Sequence, residues 1–242
     1  MSRSTDDDET VRKRSGWWLP LGVFVVTFIL SAMFLLLYLA PLPNSLFQEE
    51  VVPTSRSDLI VLQVHGRAFR IPANYLMYAS ARQGGERSEI ALFALLPEMS
   101  GWSNWSADQF DSNAPDSRAV FLTIRKERVG LSEADRLSRV YLGYVADARG
   151  REGPYGLRQY EFRADSGYHN EDLFVGETAK GPMVLRCVQL SHDVPSPNCL
   201  RDMLIAPGVS LSTRFKRAHL SEWREIGANT DKLIASFKKP AK

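Results

Sequence analysis

Between Arg14 and Glu49 the chain carries no charged side chain, and only Thr27 and Ser31 break an apolar run over residues 17–40. That absence excludes a surface helix, which needs one polar face. A helix of this length would reach about 36 Å, enough to cross a hydrocarbon core of about 30 Å with some tilt. Pro20 falls in the first turn, where a missing N–H is tolerated. A cleaved signal peptide has a shorter apolar region that ends in small residues. This run exits instead through Leu37-Tyr38-Leu39-Ala40-Pro41. The expectation is an uncleaved single-pass transmembrane anchor. The run holds no ionisable residue and no G-x-x-x-G spacing. It therefore offers neither an ion path nor that helix-pairing face.

Cysteine is nearly absent too: Cys187 and Cys199 are the only two. A zinc site built on several thiolates is excluded, and the spacing is not the C-x-x-C of a redox pair. Both cysteines follow the apolar run. An even count in an oxidising compartment favours a disulfide, with two buried free thiols as the other reading. Closing so short a loop would contribute roughly 3 kcal/mol by the chain-entropy estimate.

The motifs of common chemistries are missing as well. His65, His169, His192 and His219 form no metal-ligand pair, and no G-x-S-x-G or phosphate-cradling glycine loop occurs. Thr213 and Lys216 share the spacing of an S-x-x-K motif, with threonine for serine, but strand alternation puts them on opposite faces. His192-Asp193 reads as a solvated loop pair. Glu171 with Asp172, and Asp108 with Asp111, are carboxylate pairs of a kind that arise by chance in an acid-rich domain. No metal, cofactor or catalytic residue is expected.

What is present sets topology first. Arg12, Lys13 and Arg14 precede the apolar run directly, and the next basic residue beyond it is Arg56. Basic residues stay in the cytoplasm, so the N-terminus is expected inside and the C-terminal part outside. Trp17, Trp18 and Tyr38 suit the interfacial belts. The resulting plan is a cytoplasmic tail (1–16), a transmembrane anchor (17–40), an extended linker (41–58) and a periplasmic α+β domain (59–242). The linker carries three prolines and no periodicity.

From residue 59 the pattern is strand-rich. Apolar, β-branched runs at 59–64 and 68–71 flank His65-Gly66 and suggest a hairpin that stops at Pro72. Further strands are expected at 90–96, 120–124, 160–162, 173–175, 183–190, 200–205 and 209–215. Ser132-Glu133-Ala134-Asp135 resembles a capping box and starts a short helix. Leu220, Trp223, Ile226, Thr230, Leu233, Ile234 and Phe237 repeat at three and four, the mark of a closing amphipathic helix. Antiparallel strands with helices on one face, and a disulfide stapling two neighbouring strands, make the expected α+β fold.

Two surface features bear on partners. The loop 100–106 sets Trp102 and Trp105 among small polar residues, as a platform for a protein or sugar ring would; the plainer reading folds both inward. From residue 208 to 242 there are eight Lys/Arg against three Asp/Glu, a surplus of five. Arg214, Lys216, Arg217, Lys238 and Lys239 are the candidates for anionic contact, against the plainer reading of a solvated basic face. Nucleic acid is disfavoured by location alone.

The segment Phe69-Arg70-Ile71-Pro72-Ala73-Asn74-Tyr75 resembles one found in uncharacterised membrane-anchored or exported proteins of Gram-negative bacteria. Pro197-Asn198-Cys199 and residues 220–226 are similar in style to the same group. The resemblance implies a periplasmic location and brings no activity. The expected function is an inner-membrane-anchored, non-catalytic domain that binds an envelope complex or a toxin-like protein. The alternative is a periplasmic glycan hydrolase or binder using Trp102 and Trp105. A third reading is a sensing module whose tail contacts a cytoplasmic component.

Overall fold

The computed structural model describes residues 16–39 and 49–238. Arg12, Lys13 and Arg14, residues 40–48 of the expected anchor end and linker, and Lys239 lie outside them. The chain divides after Glu50 into two compact units. The first contains helix α1 (Trp18–Leu39), of 22 residues. Residues 18–36 have a mean hydropathy of 2.5 and none is buried. At 1.5 Å per residue α1 is about 33 Å long, enough to span a bilayer.

The second unit is α+β, and its contacts begin at Val51. Val51 bridges Tyr78, and the Val52 N–H donates to Met77 O at 3.1 Å. The last part of the stretch expected as linker is thus tied to the domain.

Strands β1 (Leu59–Val64) and β2 (Arg67–Pro72) form the expected hairpin. His65 and Gly66 turn it with φ of 51° and 71°, the signs a two-residue type I′ turn requires. The two-residue β3 (Gly85–Glu86) adds parallel to β1, making a small three-stranded sheet.

The main sheet has eight strands. Its members are β4 (Glu89–Leu95), β5 (Ala119–Lys126), β6 (Arg151–Glu152), β7 (Arg158–Glu161), β8 (Glu171–Thr178), β9 (Gly181–Val188), β10 (Asn198–Ala206) and β11 (Val209–Lys216). The order across it is β4-β5-β11-β10-β9-β8-β7-β6, with every neighbour antiparallel.

Period-2 alternation separates two cores. Val120, Leu122, Leu211, Phe215 and Phe174 pack with Trp223 and Ile226 of helix α4 (Trp223–Phe237). Leu173 and Val175, the neighbours of Phe174 on β8, face the other way against Tyr141, Val145 and Phe162. Helix α3 (Glu133–Arg139) lies over this second face, where Leu137 packs on the cluster. The expectation of helices on one face is therefore corrected: α3 and α4 cover opposite faces. Period 3.6 shows which face of a helix is buried, not which side of a sheet it reaches.

Local chemistry explains the helix ends and the closest packing. The Ser132 side chain accepts the Asp135 N–H at 3.1 Å and starts α3 as the sequence implies. Trp223 is fully buried, and its ring lies where a Cβ on Gly176 would be. Its Nε1 donates to Tyr155 O at 3.2 Å, so burial leaves no unmet polar group. The segment 97–118 contains the short helix α2 (Ala107–Asp111), whose Phe110 meets Phe93 edge-on with 4.9 Å between centroids.

Candidate functional site

The main sheet is not evenly closed. β9 pairs with β8 along all its residues, from Val188↔Glu171 to Gly181↔Thr178, and β10 pairs with β11 along almost its whole length. Yet β9 and β10 pair with each other only at Cys187↔Cys199 and Arg186↔Leu200. The disulfide expected from the cysteine count joins the first of these pairs. Beyond Arg186 the two strands part, and a wedge opens toward the two hairpin turns.

Continued pairing would set Asp202 opposite Val184. Instead the Val184 N–H donates to Glu133 Oε1 at 3.0 Å. Glu133 is the first residue of α3, so the helix start places its carboxylate where a strand partner would stand. Arg201 on β10 completes the arrangement, with Nε 3.0 Å from Oε1 and Nη2 2.8 Å from Oε2. This two-pronged geometry is the strong form of a guanidinium–carboxylate pair. Asp231 of α4 closes the network: Lys180 Nζ donates to its Oδ2 at 2.6 Å, and Arg201 Nη1 lies 3.5 Å from its Oδ1. Arg201 is buried, and its Nη1 makes no hydrogen bond.

Around this network lie two adjoining cavities of about 610 and 660 Å³. Pro182, Met203, Ile205 and Ile234 supply apolar wall, while Ala235 lines both. At Gly227 the Met183 side chain fills the place of a Cβ, so α4 sits hard against β9 there. Lys238 caps the C-terminal end of α4, where the helix dipole favours a cation. Its ammonium donates to Ile205 O at 2.7 Å. Burial pushes the Lys238 pKa below the ordinary lysine value, and Asp231 pulls it part of the way back.

The residues singled out from sequence are dispersed. Trp105 is 97% exposed. Trp102 is half-buried and held by Asn74: its N–H donates to Asn74 O at 2.9 Å, and Asn74 Nδ2 donates to Trp102 O at 3.2 Å. The next residue, Tyr75, donates its hydroxyl to Met99 O at 3.0 Å. The Pro-Ala-Asn-Tyr segment thus fixes the base of the tryptophan loop. Of the pair, Trp105 is the one that presents its ring to solvent.

The described basic residues differ in exposure and partners. Arg214 is exposed, with its guanidinium 4.8 Å from the centre of the Phe121 ring. Lys216 is buried and donates to Asn113 Oδ1 at 2.6 Å and Ser196 O at 3.3 Å. Burial, and then nearby Arg214, lower its pKa. Arg217 reaches Asp172 Oδ2 at 2.5 Å and Val188 O at 2.8 Å. Lys216 and Arg217, expected at an anionic contact, are both engaged by groups of the domain itself. A count of basic residues cannot show which of them turn inward.

Of the carboxylate pairs, the first is divided between two arginines. Glu171 binds Arg186 at 2.7 Å, whereas Asp172 binds Arg217. Asp108 and Asp111 are exposed on α2. His192 and Asp193 are exposed, 3.4 Å apart. Among the described residues no group of His, Cys, Asp and Glu is arranged to hold a metal ion. Sequence reasoning missed the network of Glu133, Lys180, Arg201 and Asp231. Its one signal was the capping box that fixes Glu133 at a helix start.

No family model and no curated protein sequence matches the chain. Its fold is similar to that of Smlt3025, an immunity protein of the Stenotrophomonas maltophilia type IV secretion system. The TM-score is 0.54 at 16% identity, covering 76% of this chain and 94% of that one.

Proposed function

We propose that this protein is a membrane-anchored binding module of the cell envelope that captures and neutralises a toxic protein partner. The observation that carries the reading is the fold shared with an immunity protein over 94% of that protein's chain. Apolar α1 supports it by supplying an anchor, and the Cys187–Cys199 bond suits an oxidising compartment. In this reading the N-terminus is cytoplasmic, α1 crosses the inner membrane, and the folded unit stands in the periplasm. It binds and performs no catalysis.

The test is self-protection. A strain deleted for this chain is grown on a surface in contact with its own parent, and survival is compared with that of the deletion strain carrying the full-length gene. The reading expects the deletion strain to lose viability and the gene to restore it. Equal survival of deleted and complemented strains would overturn it. In-cell crosslinking of the C-terminally tagged chain then identifies the neutralised protein by mass spectrometry.

A further inference from the structure

We infer that the opening between β9 and β10 receives an acidic loop of the protein partner, with its carboxylates on the α4 side of the cleft. The inference rests on the binding reading above and deepens it by assigning the surface and the chemistry of the occupant.

The charge arrangement carries the argument. Five cationic side chains line the two cavities, Lys180, Arg201, Arg224, Lys232 and Lys238, against three acidic ones, Glu133, Glu177 and Asp231. Two of the acids are already matched. Glu133 accepts from the Val184 N–H and from two nitrogens of Arg201, and Asp231 pairs with Lys180 and Arg201. Among the described residues Arg224, Lys232 and Lys238 form no ion pair. The surplus is therefore cationic, and it lies on α4. Lys232, Ala235 and Lys238 follow one another at a spacing of three and share a stripe of the helix.

The shape agrees. Ala235 is small and lies between the two lysines, leaving room for a chain to run along the stripe. Opposite it, Pro182, Met203 and Ile205 offer an apolar wall for a neighbouring side chain. At the base, the buried Arg201 Nη1 lacks a hydrogen-bond acceptor. Lys238 is partly desolvated, donates to the Ile205 carbonyl and feels Asp231 only as a partial offset, so a carboxylate there improves its surroundings. An acidic, partly apolar protein segment satisfies all of these at once.

The experiment uses the full-length chain in the deletion strain of the self-protection assay. Two variants are compared with the unaltered chain: Ala235→Trp, which fills the cleft from an exposed position, and the charge reversal Lys232→Glu/Lys238→Glu. Each is expected to lower protection on the order of tenfold or more. Expression and the urea midpoint should stay unchanged, and Lys232→Arg/Lys238→Arg should retain protection. A photo-crosslinking residue at position 235 is expected to trap an Asp- or Glu-containing segment of the neutralised protein. Full protection by both variants, or an adduct with phospholipid alone, would overturn the inference. Failure of the unaltered chain to protect is a separate result and removes the binding reading itself.

Discussion

Glu133 and Arg201, 68 residues apart in the chain, meet in a two-pronged pair that also holds the Val184 N–H where β9 and β10 separate. Both side chains are largely buried, so each depends on the other for the solvation it has lost. Replacing Glu133 by Ala leaves Arg201 with only the longer contact to Asp231 and removes the acceptor of Val184. The expected loss is about 3–5 kcal/mol, the cost of breaking a buried pair from one side. Urea denaturation of the detergent-solubilised chain measures it. The paired change Glu133→Leu/Arg201→Met should recover part of the loss; no recovery would show that the packing of α3 dominates.

The Cys187–Cys199 bond joins one of the two residue pairs at which β9 and β10 remain in register, next to the Arg186–Leu200 pair from which they part. It acts as the closed end of the wedge and should hold the two strand pairs together. Replacing both cysteines by serine is expected to remove about 3 kcal/mol, the chain-entropy value for so short a loop. A thiol reductant should lower the melting temperature of the unaltered chain and leave that of the variant unmoved. Equal response of both to reductant would contradict this.

Strands and helices were legible where one period dominates. Leu59–Val64 and Val209–Lys216 read directly as strands, and buried positions of α4 recur at three and four. The short β3 and β6, of two residues each, carry too few positions for a pattern. The cleft was not legible at all. It arises because β9 and β10 stop pairing, and strand composition does not encode where a register ends. Glu133 was visible as part of a helix start, but its link to Arg201 and Asp231 depends on the tertiary fold. The aromatic loop was found, while the anchoring of the Trp102 backbone depends on Asn74, far earlier in the chain.

Asn74 and Trp102 clasp each other through two hydrogen bonds, and Trp105 lies three residues beyond with its ring in water. Truncating Trp105 to Ala should therefore shift stability by no more than about 0.5 kcal/mol, as for other surface positions. Asn74→Ala removes a side-chain donor at the loop base and should cost about 1 kcal/mol. Limited proteolysis separates the two: cleavage within residues 97–106 should accelerate in Asn74→Ala and not in Trp105→Ala. Faster cleavage in Trp105→Ala would mean that the exposed ring helps hold the loop.

Tyr75 and Tyr141 give the folded unit an alkaline limit. Burial raises the pKa of both phenols. A hydrogen bond with the Gly101 backbone opposes the rise at Tyr75, and Arg186, then Arg136, oppose it at Tyr141. The unfolded chain then releases these protons first, so it is favoured as pH climbs past the usual phenol value of about 10. The stability they contribute is complete below that value and is lost as pH rises through the higher folded pKa. Urea midpoints measured between pH 8 and 11 should fall over the upper part of this range. The fall should be shallower in Tyr141→Phe and Tyr75→Phe, which carry no proton to lose. A phenylalanine variant with an undiminished alkaline slope would assign the effect to groups other than Lys216 and Lys238, whose lowered pKa values favour the folded state as pH rises.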